Sequence, residues 1–343
     1  MLRLLYVGTF PPPDGGVRLG VQTLADELVA RTDVMLNKVD VSKTGGIVSR
    51  ILFYFRNFID VLKLGRRSDL IAFCAPTNYT LLFGGTLYVI SRFLRRPFVV
   101  RHTAGHNDKL YREMNPLTKF LMRKTVLAAE LSLYQTTAQV RFFESINPGK
   151  VVHFPNHRKM PREMEPRKSP VAKRFVFIGR LEPAKGTDDL IEVFSAMSDE
   201  IELDLYGEDN LDFENRFGTS DRIRYLGMFE HSEVFNVLQK YDALILPSLY
   251  EGQPGVIIES FLAGLPVIAT SIPGVLDIVD NGETGLLVTP KAKDELRDAI
   301  ETLATQESTY QRISQNVWKS RQRFSSEFWS QMFVEQCESL VLN

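Results

Sequence analysis

Cysteine is nearly missing from this chain: Cys74 and Cys337 are the only two in 343 residues, one in each half. That is too few for a disulfide framework and favours a reducing cytoplasm. No His/Cys group has metal-ligand spacing, and Asp188-Asp189 is not a D-x-D pair, so no metal is expected. Long apolar runs are missing too. Leu81 to Ile90 falls short of the roughly 20 residues of a membrane span and contains Gly84-Gly85, so it reads as a buried helix. No cationic leader or cleavage site precedes Leu2 to Val7, which reads as a strand and not as a signal peptide. A recognition module or basic-aromatic groove for nucleic acid is likewise absent, and no nucleic acid is expected as partner.

What is present suits two domains of ordinary size, with 44% hydrophobic residues to fill two cores. The formal charge of −1 conceals an asymmetry. Residues 1–170 hold 26 Lys and Arg against 13 Asp and Glu, whereas residues 171–343 hold 15 against 29. A basic first half points to an anionic partner, with a phospholipid surface ranked ahead of a phosphorylated acceptor. Ile51 to Leu64 forms an amphipathic helix with Arg56, Asp60, Lys63 and Arg67 on one face. Its main role is packing on the first sheet, which leaves Arg66, Arg67, Arg92, Arg95 and Arg96 to meet anionic headgroups.

Apolar strands alternate with helical patterns throughout. Leu2 to Val7, Leu70 to Cys74, Phe98 to Arg101 and Val151 to Phe154 come first; Phe175 to Ile178, Ile201 to Tyr206, Ala243 to Leu246 and Pro266 to Ala269 follow. The class is α/β, with two parallel sheets. Between them Asn156 to Lys173 is charged, has three prolines and little apolar content, and reads as a linker or exposed connection. The expected domains are 1–156 and 174–343, joined by 157–173, with the last helix free to pack back on the first.

Glu251 to Glu259, EGQPGVIIE, sets two carboxylates eight positions apart around a Gly/Pro turn. Leu244 to Leu246 reads as a buried strand ending at Pro247, and a helical run begins near Ile257. Ligands of doubly wound sheets lie at such strand ends, and the amides of Gly255 and Val256 would face an anion there.

This segment resembles the family 4 glycosyltransferases, retaining enzymes of the GT-B fold that use nucleotide-diphosphate sugars. The likeness continues through Gly264 to Thr270, Pro273-Gly274 and Asn281 to Val288. It implies two Rossmann-like domains facing a central cleft, with Glu251 near the donor sugar, Glu259 on the ribose, and Gly255 with Val256 on the diphosphate. This chain has Gly252-Gln253-Pro254-Gly255 where the family often carries Gly-Phe-Gly. Upstream, Gly179-Arg180-Leu181-Glu182-Pro183-Ala184-Lys185-Gly186 is similar to the family's G-R-L-x-x-x-K-G element. A strand-end Arg and Lys suit a diphosphate leaving group, because both offset charge that grows as the bond breaks. They would take the place of a metal. In the first half, Gly15-Gly16 resembles the glycine loop that approaches donor phosphate and acceptor. Arg101 to His106 resembles the place of a His beside the donor sugar; His102 or His106 would face the cleft, and His102 sits at the strand end.

The reading is a cytoplasmic, membrane-peripheral, metal-independent retaining glycosyltransferase of the hexosyltransferase class. It needs no cofactor, uses a nucleotide sugar as donor, and extends a glycan or lipid-linked acceptor in surface polysaccharide or glycolipid synthesis. Two alternatives stay open: a GT-B-type sugar-nucleotide epimerase, against which the basic first half weighs, and a non-catalytic nucleotide-sugar binding protein, against which Arg180, Lys185, Glu251 and Glu259 weigh.

Overall fold

The computed structural model describes residues 1–11, 16–42, 47–75, 80–105, 107–198, 200–218 and 220–342. The chain divides into two compact units, Met1–Lys159 with Ser326–Asn343, and Met160–Ser325. Each is built on a six-stranded parallel sheet.

In the first unit the strands are β1 (Leu2–Gly8), β2 (Val34–Asp40), β3 (Leu70–Ala75), β4 (Phe98–His102), β5 (Leu131–Tyr134) and β6 (Lys150–His153), in the order β2-β1-β3-β4-β5-β6. Successive side chains of a strand point to opposite faces. Leu4 and Tyr6 therefore pack with Val21, Leu24 and Leu28 of the helix Gly16–Ala30, while Leu5 and Val7 pack with Val61 and with Leu87 and Ile90 of the helix Gly85–Leu94. Burial on both faces is why β1 is an almost unbroken apolar run.

The final helix, Ser326–Val341, belongs to this unit. Its Phe333, Val334 and Cys337 enter the Leu4/Tyr6 cluster, and Ser326 Oγ donates to Glu27 Oε1 at 2.7 Å. The connection before the second unit carries no helix or named strand from 154 to 173. It is not exposed along its whole length, as its charge and prolines suggested: Asn156, His157 and Arg158 are only 8%, 0% and 5% exposed. The reason is local, since Arg158 O accepts from Ser326 N at 2.8 Å and the His157 ring meets the Phe154 ring edge-on.

The second unit orders β7 (Arg174–Ile178), β8 (Glu202–Tyr206), β9 (Ile223–Tyr225), β10 (Ala243–Leu246), β11 (Val267–Thr270) and β12 (Gly285–Val288) as β12-β11-β10-β7-β8-β9. The chain runs outward from β7 to β9, then returns to the other side of β7 at β10. That reversal opens a crevice between the loops that follow β7 and β10, where doubly wound sheets bind ligands. The helix expected near Ile257 begins two residues earlier, at Gly255. Among the described residues no helix is long and apolar enough to cross a membrane.

Candidate active site

The loop after β7 carries Arg180 and Lys185. Arg180 is more than half exposed and pairs with Glu182 at 3.1 Å. Lys185 ends a short turn, Pro183–Lys185, and Gly186 follows at φ +70°. A Cβ on Gly186 would stand 2.2 Å from the Pro247 carbonyl oxygen, so only glycine lets this loop reach the end of β10. Leu249 N donates to Ala184 O at 2.9 Å and fastens the two loops.

The loop after β10 brings Glu251 to that junction. Lys185 Nζ lies 2.6 Å from Glu251 Oε1, with the two side chains 18% and 13% exposed. Ser248 Oγ donates to the same oxygen at 2.8 Å, and the Thr270 hydroxyl at the end of β11 donates to Ser248 O. A third loop closes in from β11: a Cβ on Gly274 would stand 1.8 Å from Gly252 O and 2.8 Å from Glu251 O. Glu251 is thus fixed by parts of three strand-end loops.

Gly255 and Val256 open the helix Gly255–Leu262, preceded by Pro254 in extended conformation with no side-chain cap. The first N–H groups of such a helix have no intrahelical acceptor, and the dipole favours an anion there. Glu259, one turn on, is 4% exposed. His231, in the turn after β9, places Nε2 at 3.0 Å from Glu259 Oε1. Sequence reasoning missed His231 and Ser248. Ser248 is near enough in sequence to Glu251 to be found, but nothing local links His231 to a residue 28 positions away.

Arg180, Lys185, Glu251, Gly255, Val256 and Glu259 all lie in the second unit, whereas Gly16 and His102 lie in the first; Gly15 and His106 are outside the described residues. Gly16 begins its helix, and a Cβ there would meet nothing within 4 Å, so packing inside the chain does not demand glycine at that position. His102 ends β4 and is 4% exposed. Its ring lies parallel to that of Tyr134 at 4.3 Å, and Tyr134 stacks on Phe143 at 4.5 Å. Burial pushes the His102 pKa down to about 3. A neutral imidazole in that state orients a hydroxyl better than it takes a proton.

Residues 172–306 match the family described as glycosyl transferases group 1. Among curated proteins, the chain is 24% identical over 258 residues to the alpha-D-kanosaminyltransferase of Streptomyces kanamyceticus, which covers 67% of each. It is 30% identical over 174 residues to the capsular polysaccharide biosynthesis glycosyltransferase CapM of Staphylococcus aureus, covering 48% of this chain and 44% of that protein. The chain therefore spans about two thirds of the length of one relative and under half of the other. The crystal structure of Anabaena HepE in complex with UDP is similar over 99% of this chain and 100% of that one, with a TM-score of 0.75 at 19% identity. The paired parallel sheets and the likeness to solved structures show the GT-B fold, and residues 172–306 resemble the group 1 glycosyl transferases.

Proposed function

We propose that the protein is a retaining, metal-independent hexosyltransferase that moves a sugar from a nucleotide-diphosphate donor to a glycan or lipid-linked acceptor in surface polysaccharide or glycolipid synthesis. The observation that carries this reading is the 2.6 Å approach of Lys185 to Glu251 at the crevice where the strand order reverses. Arg180 and Lys185 hold the diphosphate and offset the charge that develops on it, the part a metal plays elsewhere. The amides of Gly255 and Val256 bind the same group, and Glu259, oriented by His231, accepts from the ribose. Glu251 faces the donor sugar. The leaving phosphate helps remove the acceptor proton in a front-face transfer, while Gly15, Gly16 and His102 of the first unit serve the donor phosphate, acceptor and sugar.

The protein works at the inner face of an anionic membrane without crossing it. Besides the basic first half, the helix Pro116–Lys124 supports this, because Leu117, Phe120 and Leu121 are 67%, 57% and 53% exposed beside Lys124. Apolar side chains at that spacing next to cations suit a headgroup layer. The test of the activity is incubation with a panel of nucleotide sugars, UDP-sugars first, scoring hydrolysis and protection against thermal unfolding. A donor that does both supports the reading; a panel that does neither rejects it.

A further inference from the structure

A cavity of about 400 Å3 opens in the second unit between residues 166–169 and the helix Glu307–Ser320. It lies by the amino-terminal ends of β7 and β10, the opposite end of those strands from the Lys185 and Glu251 loops. Ser169 Oγ donates to Asp242 Oδ1 at 3.0 Å, and Arg167 donates to the carbonyls of Gln239 at 2.7 Å and Leu238 at 3.2 Å, all just before β10 begins.

The helix lines this cavity with Gln311, Ser314, Gln315, Trp318 and Lys319. A stripe at that spacing, i, i+3, i+4, i+7 and i+8, is ordinarily the apolar, core-facing side of a helix. Here four of its five positions are polar. Ser314 is 7% exposed and has the Tyr310 hydroxyl as its partner, which itself donates to Asp242 O at 3.1 Å. The Ser314 oxygen keeps the capacity to accept from a ligand on the cavity wall. The charge is one-sided as well: Arg167, Lys168 and Lys319 line the cavity and no carboxylate does. Lys168 leans 2.6 Å from Glu165, which borders the adjoining cavity, but both side chains are about four-fifths exposed and the pair is weakly held. Lys319 has no carboxylate partner among the described residues.

We propose that this cavity is a second saccharide site, separate from the donor loops, which takes an acidic sugar residue of a glycan. Its volume falls in the usual range for a small ligand, about 300–1,000 Å3. The indole of Trp318, one face of which is covered by the Arg321 guanidinium at 3.4 Å, and Pro166 give the C–H surface of the sugar apolar contact. Gln311, Gln315 and Ser314 bind hydroxyls, and Lys319 with Lys168 binds the carboxylate. Inorganic phosphate would satisfy the cations but leave the indole and amides unused. The role, holding an acidic polymer while its end is processed elsewhere, rests on the reading of the acceptor as a glycan.

Calorimetry on the full chain tests this with three probes: an oligogalacturonate, a neutral maltooligosaccharide of equal length, and inorganic sulfate, with UDP titrated separately. The oligogalacturonate is expected to bind at least ~10-fold more tightly than the other two, the factor that one lost charge-assisted contact represents. Lys319→Glu combined with Gln315→Ala, both exposed positions, is expected to weaken that binding ~10-fold or more and leave UDP binding unchanged. No oligogalacturonate binding, binding indifferent to the double variant, or sulfate binding as tightly would each overturn the proposal. Oligogalacturonate binding lost in the variant, in a protein that binds neither UDP nor any other nucleotide, would uphold this site and sink the donor reading instead.

Discussion

Lys185 Nζ and Glu251 Oε1 lie 2.6 Å apart across two loops whose residues are 66 positions apart in sequence. With each side chain less than one-fifth exposed, removing one partner leaves the other charge partly desolvated and unpaired. In the proposed reaction Lys185 serves the diphosphate while holding Glu251 in place.

Lys185→Ala and Arg180→Ala are each expected to lower turnover by roughly 100-fold or more with the fold intact, since each removes charge stabilisation that grows in the transition state. Steady-state kinetics and thermal unfolding check this. Lys185→Ala and Glu251→Ala together should cost less than the sum of the two, because the pair acts as a unit. Near-normal turnover in either single variant rejects the diphosphate clamp.

Glu259→Gln is expected to weaken binding of free UDP, whereas Glu251→Gln acts on sugar placement and rate. His231→Ala should follow Glu259→Gln, more mildly, because it frees the carboxylate it orients at 3.0 Å. Calorimetry with the nucleotide alone separates the two carboxylates; equal losses would reject the division of roles.

Gly274→Ala tests the close approach of the loops. A Cβ 1.8 Å from the Gly252 carbonyl forces the Glu251 loop to move. The expected cost is about 1–3 kcal/mol of stability, together with a loss of activity out of proportion to it. Unchanged kinetics would show that the loop position does not matter.

For His102 the test is pH. Its folded pKa of about 3 lies below the ordinary 6.5, so the unfolded chain binds the extra proton in between. The associated stability is fully present above pH 6.5 and declines on acidification towards pH 3, by up to roughly 1.4 kcal/mol per pH unit. His102→Phe keeps an aromatic ring in the stack and removes this slope. Urea unfolding at pH 7, 5.5 and 4.5 should show the variant gaining on the wild type as pH falls; parallel curves would contradict the burial of a neutral imidazole.

At a membrane, replacing Arg66, Arg67 and Arg95 with Glu should release the protein from anionic vesicles, since each basic residue near the surface contributes roughly 1 kcal/mol. Arg92 is the weaker choice because it already pairs with Glu130 at 2.6 Å. Leu117→Ser with Phe120→Ser should reduce binding independently, and donor hydrolysis should survive both changes. Sedimentation with vesicles at low and high salt decides this. Binding absent at low salt would favour a soluble acceptor.

Strands buried on both faces were the easiest elements to read in the sequence. Phe175 to Ile178 and Leu244 to Leu246 sit mid-sheet, so nearly every position is apolar. The signal fails where a strand is short or unevenly buried: β9 is three residues long, β5, LSLY, escapes the sequence reading although all four of its residues are buried, and β2, VMLNKVD, alternates unevenly because part of it faces solvent. The Lys185 and Glu251 loops were visible as motifs, but their ion pair depends on the neighbouring positions of β7 and β10, which only the topology provides. His231 illustrates the limit, because its partner Glu259 lies on an element that reaches it only after the sheet has closed. The cavity beside Trp318 was equally hidden, since a polar helical stripe looks like a solvated surface until a second segment is seen to face it.

The return of the last helix to the first unit has a bearing on how the protein matures. Residues 160–325 form one uninterrupted stretch, while the first unit lacks Phe333, Val334 and Cys337 of its core until the final turns are translated. Domains made first on the ribosome usually fold first. Here the second unit has its whole stretch in hand before Phe333, Val334 and Cys337 are made, so it is able to settle while one cluster of the first unit's core is still incomplete.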